Sequence, residues 1–65
     1  SNLYAEEDLS TTDQERLHHA LDYMYDAMGE NIPHELMVDA CVALNFDADR
    51  AVDWLLNHPG ASSVE

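Results

Sequence analysis

Two interruptions divide this chain. The first is Gly29-Glu30-Asn31-Ile32-Pro33 and the second is Asn45-Phe46-Asp47. Glycine reaches backbone angles that end a helix, and proline is tolerated in the first turn of the next, where its missing N–H has no bond to lose. Asparagine suits the left-handed position after a helix, and aspartate is a preferred N-cap. The segments between these breaks carry apolar residues at helical spacing, and strand-like alternation is absent. Three short helices with links of about three to five residues are therefore expected, forming one compact all-α bundle.

The first helix is expected to begin near Thr12, where Thr12 and Glu15 match a capping box; Ser10 and Thr11 are rival caps. Leu17, Leu21, Met24 and Met28 follow at one face with Ala20 beside them, while Glu15, Asp22 and Asp26 fall opposite. Tyr25 lies at the stripe edge and Tyr23 further out. Gly29 is expected as a left-handed cap. From Leu36 to Leu44 only Asp39 is polar. Leu36, Ala40, Ala43 and Leu44 make one stripe of this second helix, and Val38 and Val42 point nearly the other way. A helix apolar all round is normally sandwiched between neighbours, but full burial is hard to arrange in a small domain, so Val38 and Val42 are open to either burial or contact with a partner. Asp47 is expected to cap the third helix, with Ala48, Ala51 and Leu55 inward, widened by Val52 and Leu56. Trp54 falls about 100° from that stripe and should be partly exposed. Phe46, Leu21, Leu44 and Leu55 are the residues expected at the core centre.

The flanks read differently. Residues 1–11, with Glu6, Glu7 and Asp8 adjacent, develop no apolar stripe and are expected to form a disordered acidic leader. The three-helix domain is placed at 12–58, stopped by Asn57-His58-Pro59-Gly60, and 59–65 is read as a frayed end. Ser1 is an unusual native start, so the chain reads as a fragment.

Charge excludes several classes. Fourteen carboxylates face only Arg16 and Arg50, a formal net charge of −12. Direct nucleic-acid binding needs a basic footprint that this chain lacks, and anionic membranes are disfavoured for the same reason. The acid keeps a small domain soluble and would steer it toward a basic partner surface. No apolar run is long enough to span a membrane and no signal peptide is visible. One cysteine allows no internal disulfide and fits a reducing compartment.

Little here points to catalysis. His18 and Asp22 lie one helical turn apart and could share an ion, but His18 and His19 diverge, and His34 and His58 sit at a helix start and a helix end. HExxH and CxxC spacings are absent, so no metal site is expected. Cys41 has no adjacent base and reads as a buried, inert thiol. There is no glycine-rich phosphate loop, and a bundle this small offers no deep pocket to raise a carboxylate's pKa. The expectation is a non-catalytic interaction module without a cofactor of its own.

The run Phe46-Asp47-Ala48-Asp49-Arg50-Ala51-Val52-Asp53-Trp54-Leu55-Leu56 resembles the third helix of UBA/CUE-like domains: a cap, an Ala-Val pair, then an aromatic and two leucines. A narrower resemblance covers about residues 9–56. Asp13-Gln14, Arg16-Leu17, Leu21-Asp22, Met24, Gly29, Pro33, Glu35, Ala40, Phe46-Asp47 and Ala51 are similar in order and spacing to the N-terminal domain of the Hbs-family translational GTPase, the partner of Pelota in ribosome rescue.

That resemblance implies a cytoplasmic, monomeric arm that touches the small ribosomal subunit during no-go rescue. The GTP and Mg site and the Pelota-binding body would lie elsewhere in the full-length protein. Charge argues that the arm meets basic ribosomal proteins rather than bare RNA. The alternatives are a weak ubiquitin-binding module and a structural spacer. UBA domains use a Met-Gly-aromatic loop after the first helix plus the end of the third. Met28-Gly29 is present, but Glu30 replaces the aromatic, removing apolar area where binding energy concentrates. The candidate partner-binding surface is Met28, Gly29, Glu30, Val38, Val42, Trp54 and Leu55.

Overall fold

The computed structural model describes residues 6–57. The readings made for residues 1–5 and for the helix stop and end at 58–65 lie outside the described residues. Three helices follow a short 3-10 turn at Glu6–Asp8: α1 over Thr11–Met28, α2 over His34–Ala43 and α3 over Ala48–Asn57. Each helix packs against the other two. The described residues hold no strand, so the expected all-α three-helix bundle is the observed fold.

The N-terminal segment is part of the fold from Glu6 onward, which corrects the reading of residues 6–11 as a disordered leader. The Leu9 N–H donates to the Glu6 carbonyl at 3.1 Å, Gln14 Nε2 donates to the Leu9 carbonyl at 3.0 Å, and the Leu9 side chain packs against the core. The cap of α1 is Ser10, not Thr12. Of three consecutive hydroxyl residues, Ser10 holds the extended backbone an N-cap requires (φ −62°, ψ 161°) and its side chain accepts from the Asp13 N–H at 3.1 Å. Thr11 and Thr12 thereby become the first helical residues. Ser10→Ala is expected to destabilise the domain by about 1 kcal/mol, read as a melting-temperature drop of roughly 4–8 °C for a domain of this size. Thr12→Ala, at an exposed helical position, should leave the melting temperature nearly unchanged.

At the other end of α1 the Gly29 N–H donates to the Tyr25 carbonyl at 2.8 Å. Gly29 has φ 75° and ψ −160°. Its φ is positive as expected, but ψ places it in a region that is essentially reserved for glycine rather than in the left-handed helical well. Pro33 precedes α2 and its carbonyl accepts from Leu36 and Met37, at 3.1 and 3.2 Å.

The turn from α2 to α3 is built from two consecutive left-handed residues, Asn45 (φ 59°) and Phe46 (φ 63°). The Phe46 N–H reaches the Cys41 carbonyl at 2.8 Å and the Asn45 N–H reaches the Val42 carbonyl at 3.2 Å. Together these bonds form the Schellman arrangement, which satisfies carbonyls the ending helix would otherwise leave orphaned. Asp47 then caps α3 through Oδ1, which accepts from the Arg50 N–H at 3.2 Å.

The core comprises Leu17, Ala20, Leu21 and Met24 from α1, Met37, Val38, Ala40 and Cys41 from α2, and Ala51 and Leu55 from α3. Two expectations need correction. Phe46 and Leu44 are half-buried and flank the core rather than centre it. Both belong to the turn, so their side chains close the end of the bundle; the Arg16 guanidinium lies 4.7 Å from the centroid of the Phe46 ring. The inner face of α2 is also rotated from the expected stripe. Met37, Val38 and Cys41 face inward while Leu36 is half-buried and Ala43 exposed.

Candidate docking surface

The seven residues proposed from sequence do not form one surface. Val38 and Leu55 are each only 2% exposed and belong to the core. Val42 is half-buried, as is Met28, and both pack against the core. Gly29 and Glu30 are exposed in the α1–α2 link, whereas Trp54, 38% exposed, lies on α3. Among the described residues the most exposed large apolar side chain is Leu56, at 65%, followed by Tyr23. Leu56 was read as widening the inner stripe; by helical period it follows inward-facing Leu55 and falls about 100° further round.

Trp54 instead groups with residues assigned to the interior. A groove of about 280 Å³ runs between α2 and α3, lined by Leu36, Asp39, Ala40, Ala43, Leu44 and Trp54. Leu36, Asp39, Ala40 and Ala43 stand at i, i+3, i+4 and i+7, one face of α2. Three of these, Leu36, Ala40 and Ala43, belong to the stripe expected to face inward; Ala40 does reach the core, whereas Leu36 is half-buried and Ala43 is exposed. Ala40 and Ala43 contribute only a methyl group each, which leaves space where longer side chains would fill it.

Elsewhere the helices are stitched by polar contacts. Arg16 pairs with Asp13 at 3.2 Å, donates from Nη2 to the Asn45 carbonyl at 3.4 Å and covers Phe46. Tyr23 Oη donates to Asp49 Oδ1 at 2.5 Å, joining α1 to α3. His34 bridges two elements: Tyr25 Oη lies 2.6 Å from its Nδ1 and Glu6 Oε2 lies 2.8 Å from its Nε2. A neutral ring protonated at Nε2 satisfies both, with Tyr25 donating and Glu6 accepting. The Tyr25 and His34 rings also stack, with centroids 6.0 Å apart.

Two groups have shifted proton affinities. Asp49 accepts the Tyr23 hydrogen bond and its charge opposes the phenolate, so the Tyr23 pKa rises above its ordinary 10.0. A folded-state pKa above the unfolded one contributes stability that is present below about pH 10 and is lost as pH rises through the folded value. Ultraviolet titration of the tyrosines should show one group ionising later than a free phenol, and Asp49→Asn should bring it back down. A late component that survives Asp49→Asn would refute the assignment. Burial pushes the Cys41 thiol up to about 11, against a smaller opposing effect of Arg16. At neutral pH it is a protonated, enclosed thiol and a poor nucleophile.

Glu15, His18, His19 and Asp22 border one open depression on α1. Among the described residues no group of three or more His, Cys, Asp or Glu side chains is placed to hold a metal ion. No described helix is long and apolar enough to cross a membrane.

The sequence matches the family described as HBS1 N-terminus over residues 2–62. The chain belongs to this family. No solved structure matches it. In this HBS1 N-terminal domain the features that set the resemblance have structural duties: Leu17, Leu21, Met24, Ala40 and Ala51 build the core, Arg16 and Phe46 lock the α2–α3 turn, and Asp47 caps α3.

Proposed function

We propose that this domain is a non-catalytic docking arm that brings an Hbs-family translational GTPase to the small ribosomal subunit during rescue of stalled ribosomes. Pelota and GTP with Mg would be bound by other parts of the full-length protein. The observation that carries this reading is the family membership combined with a strongly acidic chain, of net charge −12. Of two basic side chains, Arg16 is already engaged by Asp13, the Asn45 carbonyl and Phe46. None of the three helices has a basic residue in its last turn to offset the negative end of its dipole. Such a surface favours basic ribosomal proteins over phosphate backbone, and it acts in the cytoplasm as a monomer.

Ubiquitin recognition is disfavoured on two counts. Glu30 stands where an aromatic would contribute contact area, and Leu55 is enclosed in the core. Labelled ubiquitin titrated with the domain should therefore show little or no shift.

Sedimentation of the domain with purified small subunits tests the reading. Binding is expected at low salt and should weaken steeply as salt is raised, and crosslinking should recover ribosomal protein rather than RNA. Absence of binding at low salt sinks the docking arm and favours a spacer.

A further inference from the structure

We infer that the groove between α2 and α3 receives a basic amphipathic helix of a partner protein, with leucine- or phenylalanine-type anchors seated against Trp54, Leu36 and Leu44. The inference rests on the docking reading and names the chemistry of what is docked.

Size argues first. About 280 Å³ falls just short of the roughly 300–1,000 Å³ of pockets that enclose small molecules. It suits a few apolar side chains presented by a peptide. Shape agrees: the α2 side of the groove is a single helical face with methyl groups at Ala40 and Ala43, and an amphipathic helix can lay its apolar side along such a strip. Trp54 supplies the kind of large, rigid contact that concentrates binding energy.

Charge selects the occupant. Asp39 lines the groove itself. Asp53 borders an adjoining depression that shares Leu44 and Trp54 with it, where Arg50 is the one positive group. Glu35 is exposed beside Leu36. The Ala43–Leu44 end of the groove is the carboxyl-terminal end of α2, whose last turn carries no basic residue to compete for these carboxylates. An apolar strip framed by carboxylates accepts an apolar segment flanked by Lys or Arg and repels an acidic one.

Trp54 is the sole tryptophan of the chain, so its emission reports on the groove directly. The probe is a synthetic amphipathic peptide of leucine and lysine, with a leucine and glutamate peptide of the same apolar spacing as its counterpart. The leucine–lysine peptide is expected to shift Trp54 emission to the blue and to move the amide resonances of Leu36, Ala43 and Leu44. The glutamate peptide should do neither.

Ala43→Lys places a cation and a longer chain in the groove from an exposed position that the fold does not depend on. It should weaken the leucine–lysine peptide by roughly tenfold or more, the effect expected for disturbing an anchor site. Ala27→Lys makes the same substitution at an exposed position of α1 and should change affinity less than about threefold. Circular dichroism confirms that both variants fold. An unmoved Trp54, equal binding of both peptides, or equal losses for the two variants each overturn the inference. Small-subunit binding by the unmodified domain is measured separately. Its failure removes the ribosomal reading and leaves the groove result standing.

Discussion

Leu55→Ala is expected to lower the unfolding free energy by about 2–5 kcal/mol. Leu55 is 2% exposed and sits among the core residues contributed by all three helices. Truncation removes its apolar contacts and leaves a cavity that a bundle this small has few ways to collapse. A domain of this length is held by only roughly 3–10 kcal/mol in total, so the loss is a large share of its stability. Denaturant titration followed by helical circular dichroism measures the loss. Leu56→Ala is the paired control: at 65% exposure its effect should stay within about 0.5 kcal/mol. Comparable losses for the two would show that α3 is rotated about its axis, with Leu55 and Leu56 sharing the buried face. The contrast also bears on function. Loss of partner binding in a Leu55 variant reports on folding, whereas loss in a Leu56 or Ala43 variant reports on contact.

The second large effect belongs to Gly29. A Cβ added there meets nothing within 4 Å, so crowding offers no reason for glycine. The reason lies in the backbone, since φ 75° with ψ −160° is strained for any L-residue. Gly29→Ala is expected to destabilise by about 1–3 kcal/mol, either as direct strain or as loss of the turn that delivers α2 to α1. Chemical synthesis with D-alanine separates the causes. The Gly29 angles mirror the polyproline-II region, which a D-residue adopts comfortably. D-alanine should recover most of the stability that L-alanine loses. If both enantiomers destabilise equally, side-chain space and not φ is the constraint.

Legibility from sequence followed the strength of the local signal. Gly29, Pro33, Asn45 and Asp47 each have a short-range backbone duty, and the structure assigns each of them one at a break between helices. The α1 stripe was equally clear because polar residues occupy its other faces, and Leu17, Ala20, Leu21 and Met24 are all buried. In α2 nearly every position is apolar, so periodicity cannot choose a face. Tertiary packing made the choice, turning Met37 and Cys41 inward and leaving Leu36 and Ala43 to the groove. That ambiguity is why the candidate surface contained Val38 and omitted Ala43. Ser10 was hidden among neighbouring hydroxyls, and the placement of Glu6 and Leu9 depends on contacts with Gln14 and His34 that no local pattern announces. Phe46 was read as an anchor from its hydrophobicity alone. The left-handed backbone it shares with Asn45 puts it at the end of the bundle instead.

The tie between Glu6 and His34 bears on where this unit could be excised or grafted. A piece trimmed back to the first residue of α1 would keep every helix intact. It would still lose the Ser10 cap, the Leu9 packing against the core, the Gln14 bond to the Leu9 carbonyl and the carboxylate that holds the His34 ring. The contacts that brace the helices therefore reach back to Glu6, and the N-terminal edge of the unit is tied to the start of α2 as well as to the start of α1.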